Sequence, residues 1–187
     1  MTKNIDLIFF GDSLTFGYGV PKKDSWVYKI QQSTALSTLN KGCNGDTTPS
    51  MLSRYYNDVL IYTPHKIFIM CGSNDLLMGK KVSTIIENLE LMIKDAIEIN
   101  SEVIIGLPPS IIGTMANKLF CPSPFYDYAE KKMLQLNEAI TNLCINYNLS
   151  YIDFYSLTLN NKDIYLDGLH LNSHGNYLMY KKALPYF

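Results

Sequence analysis

Ile5-Asp6-Leu7-Ile8-Phe9-Phe10-Gly11-Asp12-Ser13-Leu14-Thr15-Phe16-Gly17 is the stretch around which the rest of the chain is read. Ile5 to Phe10 is an almost unbroken apolar run of strand length, and such a run predicts a strand buried on both faces. Gly11 lets the backbone bend tightly. Asp12 and Ser13 then favour the mouth of a helix, where unpaired N–H groups point outward. Ser13 is thereby placed at the carboxyl end of a central strand, facing the crevice where open α/β sheets bind ligands. A serine after Gly-Asp also serves as an ordinary turn or cap residue, so partners elsewhere in the chain must decide.

Outward from that stretch, strand and helix signals alternate. A short helix is predicted from about Ser25 with Trp26, Val27 and Ile30 on one side, followed by a weak strand over Ala35–Leu39. Asn40 to Pro49 is a second glycine-rich turn running into a helix, with Thr48 as cap and Pro49 at its first position. That helix carries Met51, Leu52, Tyr55, Tyr56 and Val59 at helical spacing. Lys66–Cys71 is a third strand, Ser83–Ile99 an amphipathic helix burying Ile85, Leu89, Met92, Ile93, Ala96 and Ile97, and Glu102–Leu107 a fourth strand.

From Pro108 to about Asp127 no period is visible. The stretch is too apolar for a solvated tail, and it is expected to cover the pocket with Phe120, Phe125 and Tyr126. A helix from about Tyr128 to Tyr147, a fifth strand over Leu149–Phe154 and a closing helix with Tyr177, Leu178, Tyr180 and Leu184 inward complete the chain. Five strands separated by helix-length segments predict a parallel, doubly wound sheet, because parallel neighbours need crossovers.

Three further stretches carry chemistry. Gly45 allows close backbone approach, so its N–H can meet an oxyanion, although a plain turn glycine reads the same. Gly72-Ser73-Asn74-Asp75 follows the third strand, and an Asn there donates an uncharged amide N–H, though Asn and Asp also form turns. Asp167 and His170 are three apart, so a single turn can set the carboxylate on one ring nitrogen and leave the other facing the crevice. His65 is read as incidental and His174 as a first-turn residue of the closing helix.

The length, 187 residues, and the apolar fraction, 47%, suit one domain, residues 1–187, with a core of its own. A net charge of −1 with dispersed basic residues points away from nucleic-acid partners. No run approaches membrane-spanning length, and the start, Met1 to Asp6, lacks the pattern of a secretory leader, so a cytoplasmic protein without stable membrane insertion is expected. Cys43, Cys71, Cys121 and Cys144 form no C-x-x-C pair, which favours reduced thiols over disulfides or structural zinc.

Gly-Asp-Ser after the first strand, Asn-x-Gly-x-x-Gly-Asp after the second, Gly-x-Asn-Asp after the third and Asp-x-x-His before the last helix occur in one order on one sheet edge. That set resembles the SGNH hydrolases, also called the GDSL family of esterases and lipases, over nearly the whole chain. The resemblance implies a three-layer α/β/α fold, flavodoxin-like, with Ser13 as nucleophile, His170 as general base and Asp167 orienting it. The implied oxyanion hole is the N–H of Ser13, the N–H of Gly45 and the side chain of Asn74, with Asp12 and Leu14 at the pocket. Asn44 stands where many members carry Ser. The implied activity is hydrolysis of small-molecule carboxylic esters, without metal or other cofactor, and a compact chain without a lid domain leans toward short acyl groups.

Two alternatives remain at this point. Asp167, His170 and His174 form a D-x-x-H-x-x-x-H run that could belong to a metal-dependent phosphoesterase. Ser13, Thr15 and Gly17 also resemble the phosphate loop of a flavin or nucleotide-binding module, which has no use for a paired Asp167 and His170. The oligomeric state is not encoded in any motif.

Overall fold

The computed structural model describes residues 5–187; residues 1–4, part of the start read above for a leader, lie outside the described residues. The first half runs β1 (Leu7–Gly11), α1 (Ser13–Phe16), α2 (Trp26–Ser33), β2 (Thr38–Gly42), α3 (Thr48–Asp58), β3 (Lys66–Met70), α4 (Ser73–Leu77) and α5 (Val82–Glu98). The second half runs β4 (Glu102–Leu107), α6 (Gly113–Leu119), α7 (Pro124–Asn146), β5 (Ser150–Asp153), α8 (Phe154–Thr158) and α9 (Ser173–Ala183). All strand pairs are parallel and the sheet order is β2-β1-β3-β4-β5, so the direction of winding reverses at β1. In doubly wound sheets the crevice at such a reversal is where ligands bind.

The period of two in a strand sends neighbours to opposite faces, and both faces here are covered. Ile8 and Phe10 of β1, with Ile67 and Ile69 of β3, pack under α3, α5 and α7. Leu7, Phe9 and Phe68 face the other way, onto Trp26 of α2, Phe154 of α8 and Met179 of α9. Trp26 sits at the centre of that second layer, edge-on to Phe9 at 5.5 Å between centroids, with its indole N–H donated to the Leu14 carbonyl at 2.9 Å. That bond ties the helix after β1 to the core beneath it.

The predicted elements are present with shifted ends. The second strand starts three residues later than expected, at Thr38, because as an edge strand it is only half buried and carries little apolar signal. Thr47, not Thr48, caps α3 through a reciprocal pair with Ser50, and Asn172 caps α9. Ile97 is exposed, since the buried stripe of α5 ends at Ala96. On α9 the fully buried positions are Gly175, Asn176, Met179 and Ala183; of the residues expected inward, Leu178, Tyr180 and Leu184 pack partly buried against the core and Tyr177 is exposed. Asn176 can be buried because its amide donates to the Leu171 carbonyl and its oxygen accepts from the Trp26 N–H.

Candidate active site

Ser13 stands at the first position of α1, directly beyond β1. Gly11 makes the turn possible: a Cβ there would lie 2.6 Å from the Met70 carbonyl of the neighbouring strand. Asp12 caps α1 by accepting the Leu14 N–H at 2.9 Å, and Gly17 ends it in the left-handed conformation. The N–H of Ser13 belongs to the first turn, whose N–H groups have no acceptor inside the helix.

The loop before α9 brings the histidine to this turn from 157 residues away, with Ser13 Oγ 3.0 Å from His170 Nε2. On the far side of the ring, Nδ1 lies 2.7 Å from Asp167 Oδ2. A carboxylate cannot donate, so Nδ1 carries the proton in this pair and Nε2 is left to accept from Ser13. Asp167 and His170 lie in one tight bend of the chain: Asp167 Oδ1 accepts the N–H of Leu169 at 2.8 Å and of His170 at 2.7 Å, and Gly168 takes φ +88°. Burial pushes the Asp167 carboxyl up, but the bonds from the His170 ring and the two backbone N–H groups outweigh it and hold the group below its ordinary value. Tyr18, which the sequence did not single out, lies against the imidazole with ring centroids 4.5 Å apart.

Asn74, on α4 after β3, donates one Nδ2 hydrogen to the Asp46 carbonyl at 2.9 Å and turns the other toward Asp12 Oδ2 at 3.4 Å. Gly45 is exposed at φ +78°, and a Cβ there would meet no heavy atom within 4 Å. Its N–H meets no backbone acceptor among the described residues. Asp12 is buried, and burial, with the charges of Asp46 and Asp75, raises its carboxyl to about 6 against the pull of the Leu14 N–H and His170.

A cavity of about 30 Å³ opens on this group, lined by Asp12, Ser13, Leu14, Asn74 and His170 together with Ser73, Leu77, Pro109, Ile111 and Leu169. Larger hollows, about 460 Å³ along α7 and β5 and about 530 Å³ beside α2 and β2, include neither Ser13 nor His170. Phe120, Phe125 and Tyr126 do not line the cavity. The stretch expected to be an irregular cover contains α6 and the first turn of α7, and these leave Phe120 and Phe125 exposed, with Phe125 beside Gly79. The apolar lining comes from Leu77 and, at the start of that same stretch, from Pro109 and Ile111.

The geometry also bears on the two alternatives. His174 is exposed on α9, and among the described residues no group of three or more His, Cys, Asp or Glu is placed to hold a metal ion. Thr15 is buried completely, so it does not face a space where a phosphate could sit.

Known proteins resemble this chain in sequence and in fold. An uncharacterized lipoprotein of Bacillus subtilis (strain 168) is 39% identical over 77 residues, 37% of this chain and 32% of that one. An arylesterase of Vibrio mimicus is 30% identical over 112 residues, 56% of each chain, so the match spans about half of that relative and a third of the first. A solved structure of a lipolytic G-D-S-L family protein from Veillonella parvula DSM 2008 is 28% identical, covers 98% of both chains and superposes with a TM-score of 0.82. Residues 9–178 match the model of the GDSL-like lipase/acylhydrolase family. The chain belongs to that family.

Proposed function

We propose that the chain acts as one domain, a serine hydrolase that cleaves small carboxylic esters of short acyl groups through an acyl-enzyme. The observation that carries this reading is the 3.0 Å separation of Ser13 Oγ and His170 Nε2, with Nδ1 of the same ring held on Asp167. Serine is a weak nucleophile until a base takes its proton, and an imidazole with a free Nε2 does so near neutral pH. As Oγ bonds to the carbonyl carbon, its proton passes to Nε2 and the carbonyl oxygen becomes an anion. The N–H of Ser13, the N–H of Gly45 and the Asn74 amide supply fixed donors to that anion, the last exchanging its long contact with Asp12 for it. The protonated His170 then gives its proton to the departing alcohol. Water enters, loses a proton to Nε2 and attacks the acyl carbon, and Ser13 recovers its hydrogen as the acid leaves.

The small cavity supports short acyl groups: about 30 Å³ has room for roughly two water-sized groups, which an acetyl fills. The description of the Vibrio mimicus relative as an arylesterase is in keeping with ester cleavage. Four unpaired cysteines, two of them exposed, suit a reducing compartment, and on that ground we place the enzyme in the cytoplasm. No helix among the described residues is long and apolar enough to cross a membrane.

The test is a series of p-nitrophenyl esters from acetate to dodecanoate, assayed with the native enzyme and Ser13→Ala. The reading expects kcat/KM to be highest at two to four carbons and turnover to fall by about 10⁶ in the variant. Full activity in Ser13→Ala, or a preference for long chains, contradicts it.

A further inference from the structure

Arg54 of α3 belongs to none of the groups named above, yet one guanidinium joins three segments of the site. Its Nε donates to Asp46 Oδ2 at 2.6 Å, and its Nη2 donates to the carbonyls of Gly11 at 3.1 Å and Lys41 at 3.0 Å. Its Nη1 donates to Asp58 Oδ2 at 2.8 Å, and its Cζ lies 4.3 Å from the centre of the Phe10 ring. Gly11 is two residues before Ser13, Lys41 lies at the end of β2, and Asp46 follows Gly45. The side chain is largely buried, at 20% exposure, so solvent screens these bonds little.

Gly45 has the opposite surroundings. It is exposed, and the space where a Cβ would stand is open, with no heavy atom within 4 Å. The loop that carries its N–H is held on both sides: the Cys43 N–H donates to the Gly11 carbonyl at 2.9 Å, and every polar group of Asp46 is engaged. Its N–H donates to the Cys43 carbonyl at 3.2 Å, its carbonyl accepts from Asn74 at 2.9 Å, and its carboxylate accepts from Ser50 Oγ at 2.8 Å and from Arg54. A planar fork of five donors can bond to two carbonyls and two carboxylates together, which an ammonium group cannot do in this geometry.

We propose that Arg54 is a positioning residue of the reaction centre: by bonding at once to the Gly11 carbonyl and the Asp46 carboxylate, it sets the separation between the N–H groups of Ser13 and Gly45. The proposal rests on the reading of Gly45 and Asn74 as oxyanion donors. Those donors act on charge that appears only in the transition state, so misplacing one lowers turnover while leaving ground-state binding in place. A shift of about 1 Å at such a site costs up to about 10²-fold.

The test measures kcat and KM for p-nitrophenyl acetate in Arg54→Met, Arg54→Lys and Asp46→Asn, each with and without Asn74→Ala. Arg54→Met is expected to lower kcat by about 10- to 100-fold with KM within about threefold of native, and Arg54→Lys to recover only part of the loss. In the Asn74→Ala background, where the donor set is already broken, Arg54→Met is expected to cost less than about threefold more. Asp46→Asn loosens the link to Gly45 while leaving the bonds of Arg54 to Gly11, Lys41 and Asp58. It is expected to lower kcat in the same sense, and it carries the test if Arg54→Met does not fold.

A kcat within about twofold of native in the folded Arg54 and Asp46 variants overturns the proposal, as does a loss that multiplies in full upon Asn74→Ala. A native kcat in Asn74→Ala alone removes the oxyanion-donor reading and the proposal with it. That result is distinct from a silent Arg54.

Discussion

Asp167 holds His170 from two directions: its Oδ2 takes the ring Nδ1 proton at 2.7 Å, while its Oδ1 accepts the backbone N–H of the same histidine at 2.7 Å. The carboxylate is fixed by its own loop, so the imidazole is held in one orientation and one tautomer. In Asp167→Asn the amide can present a hydrogen to Nδ1, which moves the ring proton to Nε2 and leaves nothing to accept from Ser13. Turnover of p-nitrophenyl acetate should fall by about 10⁴-fold with KM near native, as steady-state kinetics at neutral pH would register.

The depressed carboxyl of Asp167 also predicts a pH effect on folding. The native state binds that proton more weakly than the unfolded chain, whose ordinary value is 3.8, so the contribution is complete above that value and is lost as pH falls through the lower native one. Urea unfolding between pH 2 and 5 should show the native protein losing stability toward acid more steeply than Asp167→Asn. Parallel curves would contradict the assignment.

Asp12 predicts the reverse. Its carboxyl is raised from 3.8 to about 6, so the native state binds this proton more tightly; the contribution is complete below 3.8 and is lost as pH rises from 3.8 to about 6. Above that range the native state carries a cost on the order of 3 kcal/mol for a charged, buried carboxylate. Asp12→Asn keeps an acceptor for the Leu14 N–H without the charge. Its unfolding free energy should gain on the native protein by that order between pH 4 and 7, measured by urea titration at each pH. A difference that does not change with pH would refute the shift.

The acyl wall gives a further prediction. Leu77 lines the cavity at Ser13, and Phe125 does not. Leu77→Ala should raise the ratio of kcat/KM for hexanoate over acetate by at least about tenfold, because even one methylene accommodated in an apolar pocket is worth about 1–3 kcal/mol. Replacing Phe120 and Phe125 with Ala should leave the ratio within about twofold. The opposite pattern would place the acyl group beyond α6.

The central strands and the polar residues at their ends were legible because each leaves a local mark. Buried parallel strands read as continuous apolar runs, and Gly11 at the end of β1, Gly45 in a turn and Asn74 in the first turn of α4 stand where the chain leaves a strand, at places that favour a few residue types. What was not legible depended on tertiary contacts. The fully buried positions of α9 are Gly175, Asn176, Met179 and Ala183, chosen by close packing and by the bonds of Asn176, so counting apolar side chains found the partly buried Leu178, Tyr180 and Leu184 but missed the centre of the face and wrongly included Tyr177. The seven-residue α6 is too short to show a period, and the break at 120–123 disguised the start of α7. Arg54 gave no sign at all, since an arginine on an amphipathic helix ordinarily faces water.

The most direct test of a Ser13 activated by His170 is mass analysis of the protein after reaction with a fluorophosphonate, in which a serine oxygen displaces fluoride and keeps the phosphonyl group. The account predicts one adduct, on the peptide containing Ser13, forming orders of magnitude more slowly in His170→Ala. An active enzyme that leaves Ser13 unmodified, or an adduct on another residue, would contradict it.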